Sequence, residues 1–521
     1  MKISQAIGNF ADIAVGPIDA SQTIATTSAG GLSVFCGLVV SERGKPFELI
    51  RVTGANWREK LGNPPRPSAG LPAASMRCLN DALLGGNGYV VRITPPTAKY
   101  PVLTASGVNV ETGKNTTSAT ALAFNSKPVL QEGELLAIYP IDGDTSPRSI
   151  ELTAIQNAEH EFNLRVYAND SVGNEYIANE WHVSSNINAL DDDGRSLFIA
   201  DVLERSSAQC RVVVSEKLDP SALVGISKTP FVGATSGNAT EITQLEWEKG
   251  IAVLSSAMVE FTAVVSLGIT DSAVIEKLVK VANDRRIDMF ADVAADNWSG
   301  AVEAMKAAAY SSERLACYFF PYYAKDPFSD HRAHWGLSGI AFKAKAMGVA
   351  KAEGSVGGYH YSPAGVERGL INRKEVQPFE GLDEPDLEAL YKVRLNRLDL
   401  APNGTLMIGD ALTTRVKEDY LRFQHVTSTV DAISRDFARL AKQVQHEPDE
   451  DTRSAIKRGL EDILDGYVAA NALVSPRDPD QGEAPYVFEI KQVAIDFWEV
   501  TWWVCVTGSS RRILGKPVLF K

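Results

Sequence analysis

Two kinds of hydrophobic spacing alternate along the chain. Short apolar runs rich in β-branched residues, at 32–40, 90–93 and 261–267, are typical of buried strands, whereas Ala73 to Leu84 has a helical pattern. From residue 261 to 290 a strand, a helix and a second strand follow one another. This order predicts a βαβ unit in a buried, largely parallel sheet.

Residues 97 to 220 have a different pattern, in which short β-like runs such as Leu135–Tyr139 and Phe162–Tyr167 alternate with turn residues. The pattern predicts an inserted all-β domain. The acidic segment Asp191–Phe198 lies at its exit, but it lacks the spaced ligands and closing glutamate of an EF-hand, so it is interpreted as a solvated turn.

The strongest helical signal comes after residue 420. Apolar residues in steps of four and three predict a long amphipathic helix with the face Val426, Val430, Ile433, Phe437, Leu440 and Val444. The polar segment 446–451 is interpreted as a turn, after which Thr452 is expected to cap a second helix.

Both ends of the chain have strand-forming sequences. The first 20 or so residues place apolar side chains among small polar ones, residues 486–507 are rich in β-branched and aromatic types, and 517–521 form a short apolar tail. We expect these arms to be locally unpaired. Because a strand cannot satisfy its own backbone donors and acceptors, such arms favour pairing with another chain.

Composition limits the classes of function. At 521 residues, with 45% hydrophobic and 22% charged residues, the chain is expected to fold into more than one domain. The 65 acidic and 52 basic residues give a net charge of -13, which disfavours nucleic-acid binding. The sequence has neither a secretory signal pattern nor a long apolar run, so we expect a cytoplasmic location and no membrane insertion.

Candidate metal and thiol chemistry is weak. The five cysteines, Cys36, Cys78, Cys210, Cys317 and Cys505, form no CxxC motif and no Cys/His cluster. Buried, reduced thiols are expected at Cys36, Cys317 and Cys505, which lie in apolar strand-like runs, and the odd count leaves an intermolecular disulfide open as an alternative. His331 and His334 form an HxxH in a segment interpreted as a loop, without an acidic third ligand. No metal site is expected.

Candidate catalytic and cofactor motifs also fail on spacing. Ser338 stands among glycines but not in the GxSxG order, and Gly85–Gly88 follows a helix and precedes a strand, the reverse of a dinucleotide loop. The pairs Arg285–Arg286 and Arg511–Arg512 are interpreted as solvated spots. Arg453, Lys457 and Arg458 are close enough on the second helix to form a positive stripe for an acidic partner.

Taken in order, a set of segments in the second half of the chain resembles the contractile tail sheath proteins of bacteriophages. The segments are Phe231–Gly237, the βαβ unit, Tyr318–Tyr322, Ser338–Ala341, Ser362–Gly365, Leu395–Leu398 with Gly404, and the paired helices. The resemblance covers residues 225 to 521, and more weakly the first 95. Such sheaths often carry Trp-Gly-x-Arg-Thr-Leu where this chain has Ile408–Thr413.

The resemblance and the patterns together predict a multidomain α/β (α+β) protein with a core sheet flanked by helices. The expected parts are an N-terminal arm at 1–24, the first part of the core at 25–96, an inserted β-rich outer domain at 97–220, an α/β core at 221–400, and a C-terminal core with paired helices and a terminal strand arm at 401–521.

The resemblance implies a mechanical function without catalytic residues or cofactor: subunits polymerise around an inner tail tube, between baseplate and tail terminator, and contract to drive the tube through the host envelope for genome ejection. It further implies assembly in the host cytoplasm into a virion tail. Sheath subunits exchange strands, here expected through Ile3, Ile7, Phe10, Val500, Trp502, Val504, Val518 and Phe520. The basic stripe is the candidate tube contact. The alternatives are the sheath of a related contractile injection system and an α/β enzyme with a pocket near His331.

Overall fold

The computed structural model describes residues 33–124, 126–169, 174–206, 209–351 and 356–513. The expected N-terminal arm, with Ile3, Ile7 and Phe10, lies outside these ranges, and so do Val518 and Phe520.

The strands of the described ranges are short in the core and long in the insert. They are β1 (Val34–Val39), β2 (Leu49–Val52), β3 (Asn87–Arg92), β4 (Lys99–Asn109), β5 (Lys114–Ala123), β6 (Glu134–Pro140), β7 (Arg148–Ala154), β8 (Glu161–Asn169), β9 (Glu175–Ser184), β10 (Cys210–Val214), β11 (Ile226–Pro230), β12 (Ala263–Val265), β13 (Asp288–Asp292), β14 (Leu315–Tyr318), β15 (Tyr322–Lys325), β16 (Arg332–Ala333), β17 (Gln377–Pro378), β18 (Leu395–Asn396), β19 (Leu398–Leu400), β20 (Leu406–Ile408), β21 (Tyr486–Ala494) and β22 (Phe497–Val504).

The α-helices are longest near the C-terminal end. They are α1 (Trp57–Leu61), α2 (Leu71–Leu83), α3 (Ile199–Arg205), α4 (Gln244–Ser256), α5 (Ser272–Arg285), α6 (Trp298–Ala308), α7 (Ser338–Ala350), α8 (Leu387–Lys392), α9 (Gln424–Val444) and α10 (Asp449–Ala469).

A seven-stranded sheet in the order β18-β14-β13-β12-β1-β3-β2 forms the centre of the molecule. Its neighbouring strands are parallel except at the edge, where β2 runs antiparallel to β3. The predicted βαβ unit is confirmed as β12, α5 and β13. The sheet joins two stretches that are distant in sequence: β1, β2 and β3 form one half, β12, β13, β14 and β18 form the other, and the halves pair through β1 and β12.

Helices cover both faces of this sheet. On β1, Phe35 and Val39 pack with α2 and α7, while Cys36 and Leu38 pack with α4, α5 and α6 on the opposite face. All four side chains are fully buried. Burial of a large apolar side chain contributes about 1.5–3 kcal/mol, which explains why the strand is a continuous apolar run without polar alternation.

The insert between β3 and α4 consists of two antiparallel sheets, in the orders β10-β6-β4-β5 and β11-β7-β8-β9. Side chains of both sheets, among them Leu103, Ile138, Ile150 and Leu164, share one core. The short helix α3 also packs there, through Leu203. The strands of the insert extend from Lys99 to Pro230, while the exact domain boundaries of the sequence interpretation remain predictions.

The C-terminal part combines α9, α10 and a β21–β22 hairpin. The predicted helix is confirmed, since all six residues of its expected apolar face lie in α9. The prediction that Thr452 caps the second helix is wrong: α10 begins at Asp449, because three carboxylates in its first turn suit the positive end of the helix dipole. The Thr452 hydroxyl instead donates to the carbonyl of Glu447 at 3.0 Å.

Candidate assembly interface

The hairpin of β21 and β22 is a two-stranded sheet to which no other strand of the described chain adds. Its inner face packs on the paired helices: Val500 and Trp502 are partly buried there, Val504 is fully buried, and the Trp502 ring lies 4.8 Å from that of Phe437 in α9. The hairpin is therefore packed on α9 and α10, and beyond the backbone bonds of Cys505 and Thr507 at its base no described strand pairs with either of its outer edges.

Side chains at both ends also fix the hairpin along α10. The Tyr486 hydroxyl donates to Asp465 at 2.7 Å near the end of the helix, and the Gln492 amide donates to Asp449 at 3.0 Å at its start. A two-stranded sheet alone is marginally stable in water. Packing on α9 and α10 therefore stabilises this hairpin, and the hairpin together with these two helices is called the platform below.

The hydrogen-bond register sets which backbone groups face outward. The Cys505 N–H donates to the Pro485 carbonyl at 3.0 Å, and Val487 is paired with Trp503. In an antiparallel ladder, residues alternate between pairs that exchange backbone bonds and pairs that do not. The alternation directs the N–H and C=O groups of Val500 and Trp502 toward the open edge of β22.

These positions refine the candidate strand-exchange residues. Val500, Trp502 and Val504 point their side chains toward α9 and α10, while the alternation of the ladder turns their backbone groups away from β21. The expectation of a locally unpaired strand is wrong for 497–504, because β22 pairs with β21 along its length. One edge of each strand has no partner strand within the part of the chain that the structure describes.

The three basic residues predicted to form a stripe are brought together. Arg453, Lys457 and Arg458 are all exposed on α10, and in the described part of the chain none of them forms an ion pair. Glu461 and Asp462 follow them at helical spacing. The positive patch is therefore short and bordered by acidic side chains.

Sequence reasoning missed a second buried face on α9. Asp431 accepts hydrogen bonds from Arg314 at 2.5 and 2.7 Å, and Arg286 lies 3.8 Å from the same carboxylate. The three side chains are 2–3% exposed. Arg285 and Arg286 are thus buried, and their interpretation as a solvated spot is wrong. Burial lowers the pKa of Arg286, although the Asp431 charge opposes this shift.

A second polar contact joins the same helix to the central sheet. The Ser428 hydroxyl donates to the Asp288 carboxylate at 2.7 Å, and burial raises the pKa of Asp288. The α9 helix therefore makes apolar contacts with α10 and the hairpin on one side, and ion pairs and hydrogen bonds with the core on the other.

The end of the sheet where α/β proteins hold anionic ligands is occupied by the chain itself. Asp292, at the end of β13, accepts from the backbone N–H groups of Leu337 and Ser338 at 2.6 and 2.8 Å, at the start of α7. A Cβ at position 336 would lie 2.0 Å from the Asp292 Cγ, so Gly336 is required for this approach. Burial raises the pKa of Asp292.

The other residues considered for catalysis or metal binding do not lie together in the structure. The Ser338 hydroxyl donates to Asp292 rather than to a histidine, and exposed His334 contacts the rings of Tyr323 and Phe379. Within the described ranges, no cluster of three or more His, Cys, Asp or Glu side chains is placed to hold a metal, and the five cysteines are free thiols. No helix in those ranges is both long and apolar enough to cross a membrane.

Comparison with known proteins rests on structure. The sequence matches no family model and no curated protein. A sheath tail protein of Desulfitobacterium hafniense gives a TM-score of 0.51 at 13% identity, covering 95% of this chain and 100% of that one. A sheath tail protein of Listeria innocua gives 0.51 at 11% identity, covering 93% and 97%. The helical sheath of the anti-feeding prophage in the contracted state gives 0.49 at 11% identity, covering 98% and 99%. The resemblance seen in the sequence is confirmed for the fold.

Proposed function

We propose that this tail-sheath-like chain is the subunit of a contractile tail sheath, which polymerises around an inner tube and contracts to drive the tube through the host envelope for genome ejection. The observation that carries the proposal is the match of nearly the whole chain to the fold of two sheath tail proteins. Its parts would be a homo-oligomeric helical array, an inner tube protein, a baseplate and a tail terminator.

Subunits would be joined by strands added to the open edges of the β21–β22 hairpin. The guest strands would come from the N-terminal arm, with Ile3, Ile7 and Phe10, and from the end of the chain, with Val518 and Phe520. The receiving groups would be the backbone of Val500, Trp502 and Val504. Each backbone bond contributes about 0.5–1.5 kcal/mol net, so one guest strand is bound by several kcal/mol at most and can be kept while domains rotate.

Contraction would draw on contacts between copies rather than on nucleotide hydrolysis. The closure of the α7 N-terminus by Asp292 supports this, because the site where a phosphate group would bind is filled by a carboxylate. A difference of a few kcal/mol per subunit between two arrangements is enough to reverse their populations, and an array multiplies it. The insert would lie outside, and the boundaries 1–24, 25–96, 97–220, 221–400 and 401–521 are part of this proposal.

Docking to the tube would use Arg453, Lys457 and Arg458 on an acidic tube surface. Their exposure and freedom from ion pairs within the described ranges support this role, while the acidic residues that follow limit the patch to about one helical turn. Exposed charge pairs are screened by salt, so this contact would weaken as ionic strength rises.

The test is electron microscopy of the purified full chain at high concentration. We expect hollow tubules, and we expect their loss on deletion of residues 1–15 and in Val500→Pro, which removes an outward N–H. Thr501→Ala, whose N–H faces β21, is the matched control and should assemble normally. A chain that stays monomeric under all conditions contradicts the sheath proposal, and assembly of the deletion variant contradicts strand exchange.

A further inference from the structure

The last described segment of the chain is attached to the body at Arg511. Its guanidinium makes a two-pronged contact with Asp410, with Nε 2.9 Å from Oδ1 and Nη2 bonded to Oδ2, and it also lies 5.0 Å from the centre of the Phe423 ring. The two charged side chains are 26% and 17% exposed. The adjacent Arg512 is exposed and has no such contact among the described residues, so the attachment is specific to one arginine of the pair.

A second attachment lies four residues earlier. The Thr507 N–H donates to the Ala472 carbonyl at 2.9 Å, next to a β-bridge between Val506 and Leu473. This bond continues the backbone pairing at the base of the hairpin. It therefore belongs to the folded platform, whereas the Arg511 contact holds through side chains alone.

The residues between these two points span a cavity. Gly508, Ser509 and Ser510 are exposed and form no hydrogen bond with other described residues. With Arg511 they form one wall of a cavity of about 440 Å³, whose other walls include Arg368 and Arg397. The segment 507–511 is thus a strap with one backbone anchor and one ionic anchor.

We propose that Arg511 and Asp410 form a releasable latch on this strap. When the latch opens, Thr507 stays attached but the chain after it is no longer held. Residues 508–511, at about 3.3–3.6 Å each, then add roughly 14 Å to the reach of the residues that follow Ile513. A partly exposed ion pair is weak enough to open and close without unfolding the platform. The use of this reach to follow a neighbouring copy rests on the proposed function, but the latch belongs to the single chain.

Limited trypsin digestion of the dilute, full-length chain tests the latch, because cleavage after Arg511 or Arg512 requires the strap to leave the body. Asp410→Asn keeps both cleavage sites and should raise the initial cleavage rate there by up to about fivefold, the ratio that corresponds to about 1 kcal/mol. Arg511→Gln, read at Arg512, should give a similar increase. The matched control is Asp399→Asn, which removes the partner of Arg397 at 3.0 Å on the same cavity rim and should leave the rate unchanged.

Salt provides a second readout. Raising ionic strength should speed cleavage of the wild-type chain toward the Asp410→Asn rate and should leave that variant unaffected. Equal rates for wild type, Asp410→Asn and Arg511→Gln would overturn the latch. This outcome is independent of assembly: failure to form tubules with a working latch would refute the sheath function alone.

Discussion

The substitution Asp431→Asn, which removes the charge that holds α9 on the central sheet, should lower the free energy of unfolding by about 3 kcal/mol. The variant leaves Arg314 and Arg286, which are 3% and 2% exposed, without the carboxylate that lies 2.5 Å and 3.8 Å from them. Loss of one partner of a buried ion pair costs about 3–5 kcal/mol. Because Glu313 keeps an oxygen 2.7 Å from Arg314, we expect the lower part of this range.

Urea unfolding followed by tryptophan fluorescence measures this cost, since Trp502 packs on Phe437 of the same helix. The matched control is Glu260→Gln, which removes an exposed ion pair with Arg439 on α9 and should cost less than about 1 kcal/mol. If Asp431→Asn lowers the free energy of unfolding no more than Glu260→Gln does, the buried ion pairs of Asp431 do not hold α9 on the central sheet.

Further outcomes follow from burial. Gly336→Ala should lower the melting temperature and expose the start of α7 to hydrogen exchange, because the new methyl meets Asp292; unchanged exchange refutes the closed-site description. Burial lowers the pKa of His360 from 6.5 to about 4. As pH falls from 6.5 to 4, His360 is therefore protonated in the unfolded state before it is protonated in the folded state, and the free energy of unfolding decreases. The variant His360→Gln should lose less stability over this pH range. Burial raises the pKa of Asp436 from 3.8 to about 7. As pH rises from 3.8 to 7, the unfolded state loses this proton before the folded state does, so the free energy of unfolding decreases. Asp436→Asn should therefore be more stable than the wild type above pH 7 but not below pH 4. Urea midpoints against pH check both, and parallel curves contradict them.

Spacing along the chain predicted the elements whose partners are close in sequence or purely apolar. The 3.6-residue repeat of α9 and the strand–helix–strand order of the core come from side-chain burial alone, so both could be predicted. Polar pairs could not: Arg314 and Asp431 are separated by 117 positions, and nothing local distinguishes them from solvated charges.

The same limit applies to the candidate interface. The aromatic residues of 486–507 predicted strands, but not that they would pair with each other over the helices and direct the backbone of Val500 and Trp502 outward. Open edges depend on register, which a one-residue shift would reverse. Thr452 failed as a cap because the acidic residues before it are better placed at the start of α10.

Cryo-electron microscopy of the assembled full-length chain tests the central claim most directly. We predict a hollow helical array in which β21 and β22 each carry a guest strand from a neighbouring copy along the outer edge, so that the hairpin becomes the middle of a four-stranded sheet. Ordered tubules in which both hairpin edges stay exposed to solvent would contradict this prediction.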